Sequence, residues 1–318
     1  MKALLRVISY LFCAVVFLGL AAPGHTAPAK IGVLLKDKSS PYWDLVSKGA
    51  IEAGRTLGVE VIVRQPPTVQ NVGAQVLLLN GFAKDGIDVL VIAPINLETL
   101  QKPVADLAAK GVKIVAIDAH FEGGIAGAFI GNDNNAMSEA AAKFFCSLIH
   151  DGDEMAVLRF NNVDRAVIER EKRIIEILRQ TCPKAVLHAD IYGNSEKDAE
   201  ARQVAYLLET YPKTKAIITS ALSTTTAAIQ VLQDKGLSGN IKLVGFGAYL
   251  PAEVRTAIER GVLHGWIAQQ PKSIGSKAVT AAAALVAGRS VSAEEYADYT
   301  LVTKANLQDP KTQALANP

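Results

Sequence analysis

The stretch from His120 to Asn135 reads HFEGGIAGAFIGNDNN, and it decides between the two folds that the rest of the sequence allows. On both sides of it, short apolar runs alternate with longer amphipathic segments, which is typical of parallel β-sheets covered by helices. A single eight-stranded α/β barrel would continue that alternation without a break. The stretch is instead irregular and rich in Gly and Asn, so it indicates a crossing from one domain to another.

Four apolar runs before this crossing predict β-strands, and the amphipathic segments between them predict helices. The predicted strands are Lys30–Leu35, Val59–Arg64, Val89–Ala93 and Lys113–Ile117. The predicted helices are Tyr42–Leu57, Gln70–Lys84 and Leu97–Lys110. Gly58 and Gly111 follow two of these helices, at the position where a left-handed residue commonly ends a helix.

The same alternation restarts after the crossing. The predicted strands there are Glu154–Arg159, Ala185–Ala189, Ala216–Thr219, Lys242–Phe246 and Leu263–Ile267. The predicted helices are Met137–Ile149, Arg165–Gln180, Asp198–Thr210, Thr225–Lys235, Ala252–Arg260 and Ile274–Ala287. The length of 318 residues exceeds the usual size of one core. The sequence therefore predicts an α/β protein with two doubly wound parallel-sheet domains.

Composition and motifs exclude several classes of function. The 33 basic and 31 acidic residues give a net charge of +2, which argues against electrostatic binding to nucleic acid. The sequence has no Gly-rich nucleotide motif, no G-x-S-x-G elbow and no H-E-x-x-H motif, so we predict no enzyme, no cofactor and no metal site. Of the five histidines, only His120 lies where loops should meet a ligand.

Residues 1–27 predict a cleavable signal peptide. Lys2 and Arg6 are basic, and Val7–Leu20 is an apolar run of about 14 residues, shorter than the roughly 20 that span a bilayer. Small residues up to Ala27 offer cleavage positions. Export to the periplasm is the expectation, and a membrane anchor is the alternative.

Two cysteines remain after the signal peptide, which contains Cys13. Cys146 and Cys182 each follow a predicted helix and precede a predicted strand, so both should lie toward the same edge of one parallel sheet. An oxidising compartment permits a disulfide between them. The alternative is two buried thiols, and the sequence leaves both open.

The loop after the first strand is the first place to search for a ligand site, because doubly wound sheets bind ligands beyond the carboxyl ends of their strands. This loop reads KDKSSPYW from Lys36 to Trp43. Ser40 can cap the following helix. Tyr42 and Trp43 offer flat faces for stacking on a ligand, and the alternative is that they pack under the helix.

Several segments together resemble the ribose-type (type 1, LacI-like) periplasmic solute-binding proteins. They are KIGVLLKDKSSPYW, VLVIAPIN, VKIVAIDA, FIGNDNNAMSEAAAKF, KLVGF and WIAQQPKSIGSKAV. The resemblance implies a three-stranded hinge between two ligand-binding lobes, with the ligand in the cleft. It implies an N-terminal lobe of residues 30–133 plus 270–295 and a C-terminal lobe of residues 134–269 plus 296–318.

The family's sugar-binding positions can be matched to residues of this chain. The first-loop polar contact matches Ser40, the stacking aromatics match Tyr42 and Trp43, the carboxylate matches Asp118, and the hinge glutamine matches Gln269. The complete candidate site is Lys36, Asp37, Ser40, Tyr42, Trp43, Asp118, His120, Asn161, Arg165, Ser220, Tyr249 and Gln269.

Four family positions depart from the pattern. Ala119 follows Asp118 where an arginine is usual, and an arginine of the second domain's first helix matches Ile168, with Arg165 one turn earlier. Two further departures are Ala221-Leu222 in place of an asparagine-aspartate pair and Gly247 in place of an aspartate.

Each lost partner would leave a buried sugar hydroxyl unpaired, at roughly 1–3 kcal/mol. We therefore expect a smaller, less hydroxylated ligand than a common aldose, such as a cation bound by Tyr42, Trp43, Asp118 and Tyr249. Amines and amine oxides are the candidate classes. The alternative is that Arg165 or Asn161 restores the sugar contacts.

The first loop is also similar to the TorT-like branch, which binds trimethylamine N-oxide and presents it to a sensor kinase. Lys36-Asp37, Tyr42-Trp43 and Tyr249-Leu250 carry that similarity. The first expectation is a monomeric receptor that closes around a small polar ligand and delivers it to an ABC-type importer. The alternative is a receptor for a membrane sensor kinase, and an exported α/β enzyme is the third hypothesis.

Overall fold

The computed structural model describes residues 28–160, 164–192 and 197–316. The predicted signal peptide, residues 1–27, and the candidate ligand residue Asn161 lie outside these ranges. Among the helices within them, none is both long enough and apolar enough to span a bilayer.

Strands and helices alternate through most of the chain. The strands are β1 (Lys30–Leu34), β2 (Glu60–Arg64), β3 (Val89–Ile92), β4 (Lys113–Ile117), β5 (Ala128–Asn132), β6 (Glu154–Arg159), β7 (Val186–Tyr192), β8 (Thr214–Thr219), β9 (Lys242–Ala248), β10 (Gly265–Gln269), β11 (Glu294–Ala297) and β12 (Tyr299–Val302). The helices are α1 (Pro41–Leu57), α2 (Val72–Asp85), α3 (Leu97–Ala109), α4 (Asn134–Cys146), α5 (Arg165–Thr181), α6 (Lys197–Thr210), α7 (Leu222–Asp234), α8 (Ala252–Glu259), α9 (Pro271–Val286) and α10 (Pro310–Ala314).

The strands form two six-stranded sheets with the same strand order. The N-terminal lobe, called lobe one, has the order β11-β5-β4-β3-β1-β2. The C-terminal lobe, called lobe two, has the order β12-β10-β9-β8-β6-β7. Neighbouring strands are parallel, except that β12 runs antiparallel to β10. Each sheet has an apolar cluster on both faces, beneath the helices. The predicted pair of doubly wound domains is therefore confirmed.

The chain crosses between the lobes three times. The crossings lie at Asp133, between β5 and α4, at Gln270, between β10 and α9, and at Asp298, between β11 and β12. Since β11 continues to Ala297, the sheet of lobe one extends two residues beyond the predicted limit at residue 295.

Helix caps explain where the predicted boundaries shift. The Oδ1 atom of Asp133 accepts a hydrogen bond from the Ala136 N–H, so α4 begins at Asn134 and not at Met137. Pro271 occupies the first turn of α9, where its missing N–H costs nothing. Three strands were not predicted. The buried strand β5 lies inside the stretch His120–Asn135, which the sequence analysis interpreted as an irregular crossing. The short strands β11 and β12 are partly exposed, and their sequences EEYA and YTLV lack a clear apolar pattern.

Helices α1 and α9 pack against each other through glycine. A Cβ atom on Gly49 would overlap the carbonyl oxygen of Lys272, and one on Gly275 would overlap that of Val46. The two helices therefore approach with backbone against backbone, which joins the start of lobe one to the segment that returns from lobe two.

Replacing Gly49 or Gly275 by Ala should lower the free energy of unfolding by about 1–3 kcal/mol, because neither backbone can move without disturbing the packed core. Gly73→Ala on α2 is the control, since a Cβ there meets nothing within 4 Å. Urea denaturation measures the difference. Equal stabilities of the Gly49→Ala and Gly73→Ala variants would contradict the close packing.

Cys146 and Cys182 form a disulfide, with their Cα atoms 5.8 Å apart. The bond joins the last residue of α4 to the residue after α5, beside the buried side chain of Met155. It therefore ties together the first two helices of lobe two.

The double variant Cys146→Ala/Cys182→Ala should unfold more easily by about 3–4 kcal/mol, since the bond closes a loop with a sequence separation of 36. Scanning calorimetry measures the loss. Treatment with a reductant should lower the melting temperature of the wild type and leave that of the double variant unchanged. An identical response of both proteins would contradict a stabilising disulfide.

Candidate functional site

Polar side chains from both lobes meet where the carboxyl ends of the two sheets face each other. Lobe one contributes Lys36 after β1 and Asp118 after β4. Lobe two contributes Asp164 before α5, Arg170 on α5, and Gln269 at the end of β10. The ion pairs and hydrogen bonds among these residues join the lobes.

Lys36 lies between two carboxylates of different lobes. Its Nζ atom is 2.5 Å from Oδ2 of Asp118 and 3.2 Å from Oδ1 of Asp164, and the residue is 1% exposed. Burial alone would lower the pKa of Lys36, but the two carboxylates outweigh it and raise that pKa above its ordinary value. Lys36 is therefore a permanent buried cation.

The two carboxylates differ in their acidity. Burial raises the pKa of Asp118 despite the neighbouring Lys36. Burial opposes ionisation of Asp164 too, but Lys36 and the Val167 N–H outweigh it and lower the pKa of that group. Asp118 also has a φ of 70°, a left-handed conformation that is uncommon outside glycine and that turns its side chain at the end of β4.

A chain of hydrogen bonds runs from lobe one through the hinge to lobe two. The Nδ2 group of Asn132 donates to the Tyr42 hydroxyl at 2.8 Å and to Oε1 of Gln269 at 3.0 Å. The Nη2 group of Arg170 donates to the same Gln269 oxygen at 3.4 Å. The buried Oδ1 atom of Asn132 accepts no hydrogen bond from any described residue.

Arg170 is the arginine that α5 presents to this cluster. It is 5% exposed, and it donates to the Ser220 carbonyl at 2.9 Å and to Oδ1 of Asn134 at 3.0 Å. The predicted Arg165 pairs instead with Glu169 and is exposed. Five residues turn a helix by about 140° beyond one full turn, so the two arginines lie on different faces.

Buried side chains hold the surrounding loops in place. In lobe two, Glu171 accepts hydrogen bonds from Arg159, from the Phe160 N–H and from the Ser220 hydroxyl. In lobe one, Gln75 donates to the carbonyls of Leu35 and Ala93 and accepts from the Ile95 N–H. Neither brace was predicted, although Gln75 is a polar residue among the apolar residues of the first two turns of α2.

The remaining first-loop candidates shape the loop. Oδ1 of Asp37 accepts hydrogen bonds from the Ser39 hydroxyl and the Ser40 N–H. Trp43 is 6% exposed and packs in the core under α1, as the packing alternative expected. Its ring meets Tyr42 edge to face at 5.0 Å, and the Lys36 ammonium lies 5.8 Å from its centroid.

Two other candidates lie outside the cluster. His120 stacks on Phe129 and pairs with Glu294, with more than half of its side chain exposed. Tyr249 lines a cavity of about 480 Å³ beside the hinge, together with Gly49, Lys272 and the cluster residue Gln269. Its N–H donates to the backbone carbonyl of Gln269, so it supports the hinge strand and does not join the charged cluster.

Comparison with known proteins supplies the family. The sequence pattern of the periplasmic binding protein domain matches residues 31–290. The chain belongs to this family. Periplasmic binding proteins capture solutes and are not enzymes, and the family name places this member in the periplasm.

Similar proteins bind sugars. One is the D-allose-binding periplasmic protein of Escherichia coli, 25% identical over 79% of this chain and 82% of that protein. The ribose import binding protein of Bacillus subtilis is 23% identical over 84% and 85%. A carbohydrate transporter solute-binding protein of Agrobacterium radiobacter, solved with D-arabinose, is 26% identical with a TM-score of 0.85, covering 92% of this chain and all of that one. This periplasmic binding protein is thus related to sugar-binding transport proteins.

Beside the cleft, lobe two buries a carboxyl group that the cluster does not use. Glu200 on α6 accepts a hydrogen bond from the Ser223 hydroxyl at 2.8 Å through Oε1, and its Oε2 has no partner among the described residues. Burial raises the pKa of Glu200 from 4.5 to about 7.

Because the folded-state pKa of Glu200 is raised, the wild type should lose stability as the pH rises from 4.5 to 7, on the order of 2 kcal/mol. Glu200→Gln should remove this loss and melt at a higher temperature at pH 8. Glu209→Gln, on the exposed face of the same helix, is the control. Parallel curves of melting temperature against pH for the wild type and Glu200→Gln would refute the assignment.

Proposed function

We propose that this protein is a periplasmic receptor for a small, uncharged, polyhydroxylated ligand of the sugar or polyol class. The ligand binds between the lobes, the hinge closes around it, and the closed protein delivers it to an ABC-type importer. Export with removal of residues 1–27 belongs to the same proposal.

The observation that carries the proposal is the unmet acceptor in the interlobe hydrogen-bond chain. Oδ1 of Asn132 is buried and finds no donor among the described residues, so a ligand that offers a hydrogen there gains a full bond. The other end of the same amide bonds to Tyr42 and Gln269, and Arg170 bonds to that Gln269 oxygen. A hydroxyl group can donate to Asn132 and accept from Arg170, whereas an amine oxide has no hydrogen to donate.

Two residues change the expectation of an amine or amine oxide. Arg170 supplies an arginine that the sequence comparison had treated as lost, which removes one of the four objections to a sugar. The place beside Asp118 and Trp43 that was assigned to a cationic ligand holds the ammonium of Lys36. Both changes favour an uncharged, hydroxylated ligand.

Closure follows from the position of the hinge. Gln269 ends β10 just before the crossing at Gln270, and Asn132 ends β5 just before the crossing at Asp133. A ligand that bonds to Asn132 and Arg170 contacts both lobes next to their pivots, so it favours the closed form over the open one.

The importer is supported by the names of relatives, which include a ribose import protein and a carbohydrate transporter component. The sensor-kinase alternative depends on the similarity of Lys36-Asp37, Tyr42-Trp43 and Tyr249-Leu250 to the TorT-like branch. Neighbouring genes separate the two: a permease and an ATPase support the importer, whereas a histidine kinase without them contradicts it.

In thermal-shift assays of the mature protein, aldopentoses, aldohexoses or polyols should raise the melting temperature, and amines and amine oxides should not. Arg170→Met should weaken binding of the best neutral ligand at least tenfold, since a charged hydrogen bond contributes about 1.5–3 kcal/mol. Arg165→Met is the matched control on the same helix and should bind like the wild type.

Isothermal titration calorimetry measures these affinities. Stabilisation by amine oxides alone would refute the ligand class. Equal affinities of the Arg170→Met and Arg165→Met variants would refute the position of the site.

A further inference from the structure

The cleft contains a cation that belongs to the protein. Lys36 leaves the end of β1 fully buried, and its Nζ atom contacts Asp118 of lobe one and Asp164 of lobe two. The ammonium therefore lies at the point where the two lobes meet. Trp43 closes one side of it, with the ring centroid 5.8 Å away.

The buried charges around this ammonium balance. The two cations are Lys36 and Arg170, and each interacts electrostatically with both carboxylates, Asp118 and Asp164. The next charges along α5 and β6 are those of Glu171 and Arg159, which pair at 2.9 Å, and Glu171 also interacts electrostatically with Arg170. Counted over these six side chains, three positive charges thus meet three negative ones at the lobe junction.

A balanced, buried cluster opposes the entry of any further charge. An ion that leaves water needs a counterion, and without one its burial costs several kcal/mol. A cationic ligand would compete with Lys36 for Asp118 and Asp164. With an uncharged group at position 36, the two carboxylates would lose their nearest cation, and the cleft would have a place for one added positive charge.

We propose that Lys36 determines the charge selectivity of the cleft, because its ammonium fills the cation position between Asp118 and Asp164 and so excludes amino analogues of the neutral ligand. This inference rests on the proposed function for the ligand class. The occupation of the cation position by Lys36 can be tested without knowing the ligand.

The first experiment removes most of the Lys36 side chain by mutation and supplies the missing group as a free amine. Lys36→Ala removes a propylammonium group, so n-propylamine hydrochloride should restore the missing cation. It should raise the melting temperature of Lys36→Ala in a saturable manner, while 1-propanol should not. The wild type and Lys38→Ala, which lacks an exposed lysine of the same loop, should show no such shift.

The second experiment measures selectivity with pairs that differ in one group. The pairs are D-glucose with D-glucosamine, D-galactose with D-galactosamine, and glycerol with 3-amino-1,2-propanediol. The wild type should bind a neutral member at least tenfold more tightly than its amine. Lys36→Met, which keeps the length of the side chain without its charge, should reduce or reverse that preference, and Lys38→Met should keep it.

The outcomes separate the two proposals. Equal effects of propylamine on the wild type and Lys36→Ala, or an equal effect of 1-propanol, would overturn the role of Lys36. Equal binding of an amine and its neutral partner by the wild type would overturn it even if the variants failed to fold. A wild type that binds no neutral member, together with rescue of Lys36→Ala by propylamine, would instead count against the proposed ligand class alone.

Discussion

The contact of the Lys36 ammonium with Asp118 and Asp164 is the interaction on which the rest of the cleft depends. A buried cation requires counterions, and each lobe supplies one of the two. The desolvation of all three groups is therefore compensated only while the lobes are together. In the proposed closure of the hinge, the lobes come together and the charges of the cleft are neutralised in one event. A ligand of such a receptor must fit a cleft whose charges are already paired.

This arrangement requires that short loops hold their charged residues in fixed positions. Each lobe meets the requirement with one buried polar side chain. Gln75 bonds three backbone groups from the loops after β1 and β3, and Glu171 bonds Arg159, Phe160 and Ser220 around the start of α5. Because the two sheets share one strand order, the loops that need support lie at the same edge of both sheets. A glutamine supports them in lobe one and a glutamate in lobe two.

The sequence predicted the fold well because buried parallel strands have a simple signature. All four residues of β3 are buried, so the apolar run VLVI marks the strand without ambiguity. Site residues were harder to predict, since their contacts come from distant segments. His120 has the right place in the sequence, but Phe129 and Glu294 hold its ring elsewhere. The choice between Arg165 and Arg170 depends on the rotation of α5, which local sequence matching does not give.

The three crossings also have a consequence for the order in which the lobes can fold. Most of lobe two is one continuous segment, and its disulfide joins helices that follow each other closely in the chain. Lobe one is different, because α9 packs against α1 and contributes Ile274, Ala278 and Val279 to the core that contains β1. Contacts so distant in sequence are slow to form. We therefore expect the C-terminal lobe to fold first. The folded C-terminal lobe then brings both ends of the N-terminal lobe's chain together, and the N-terminal lobe completes its own core.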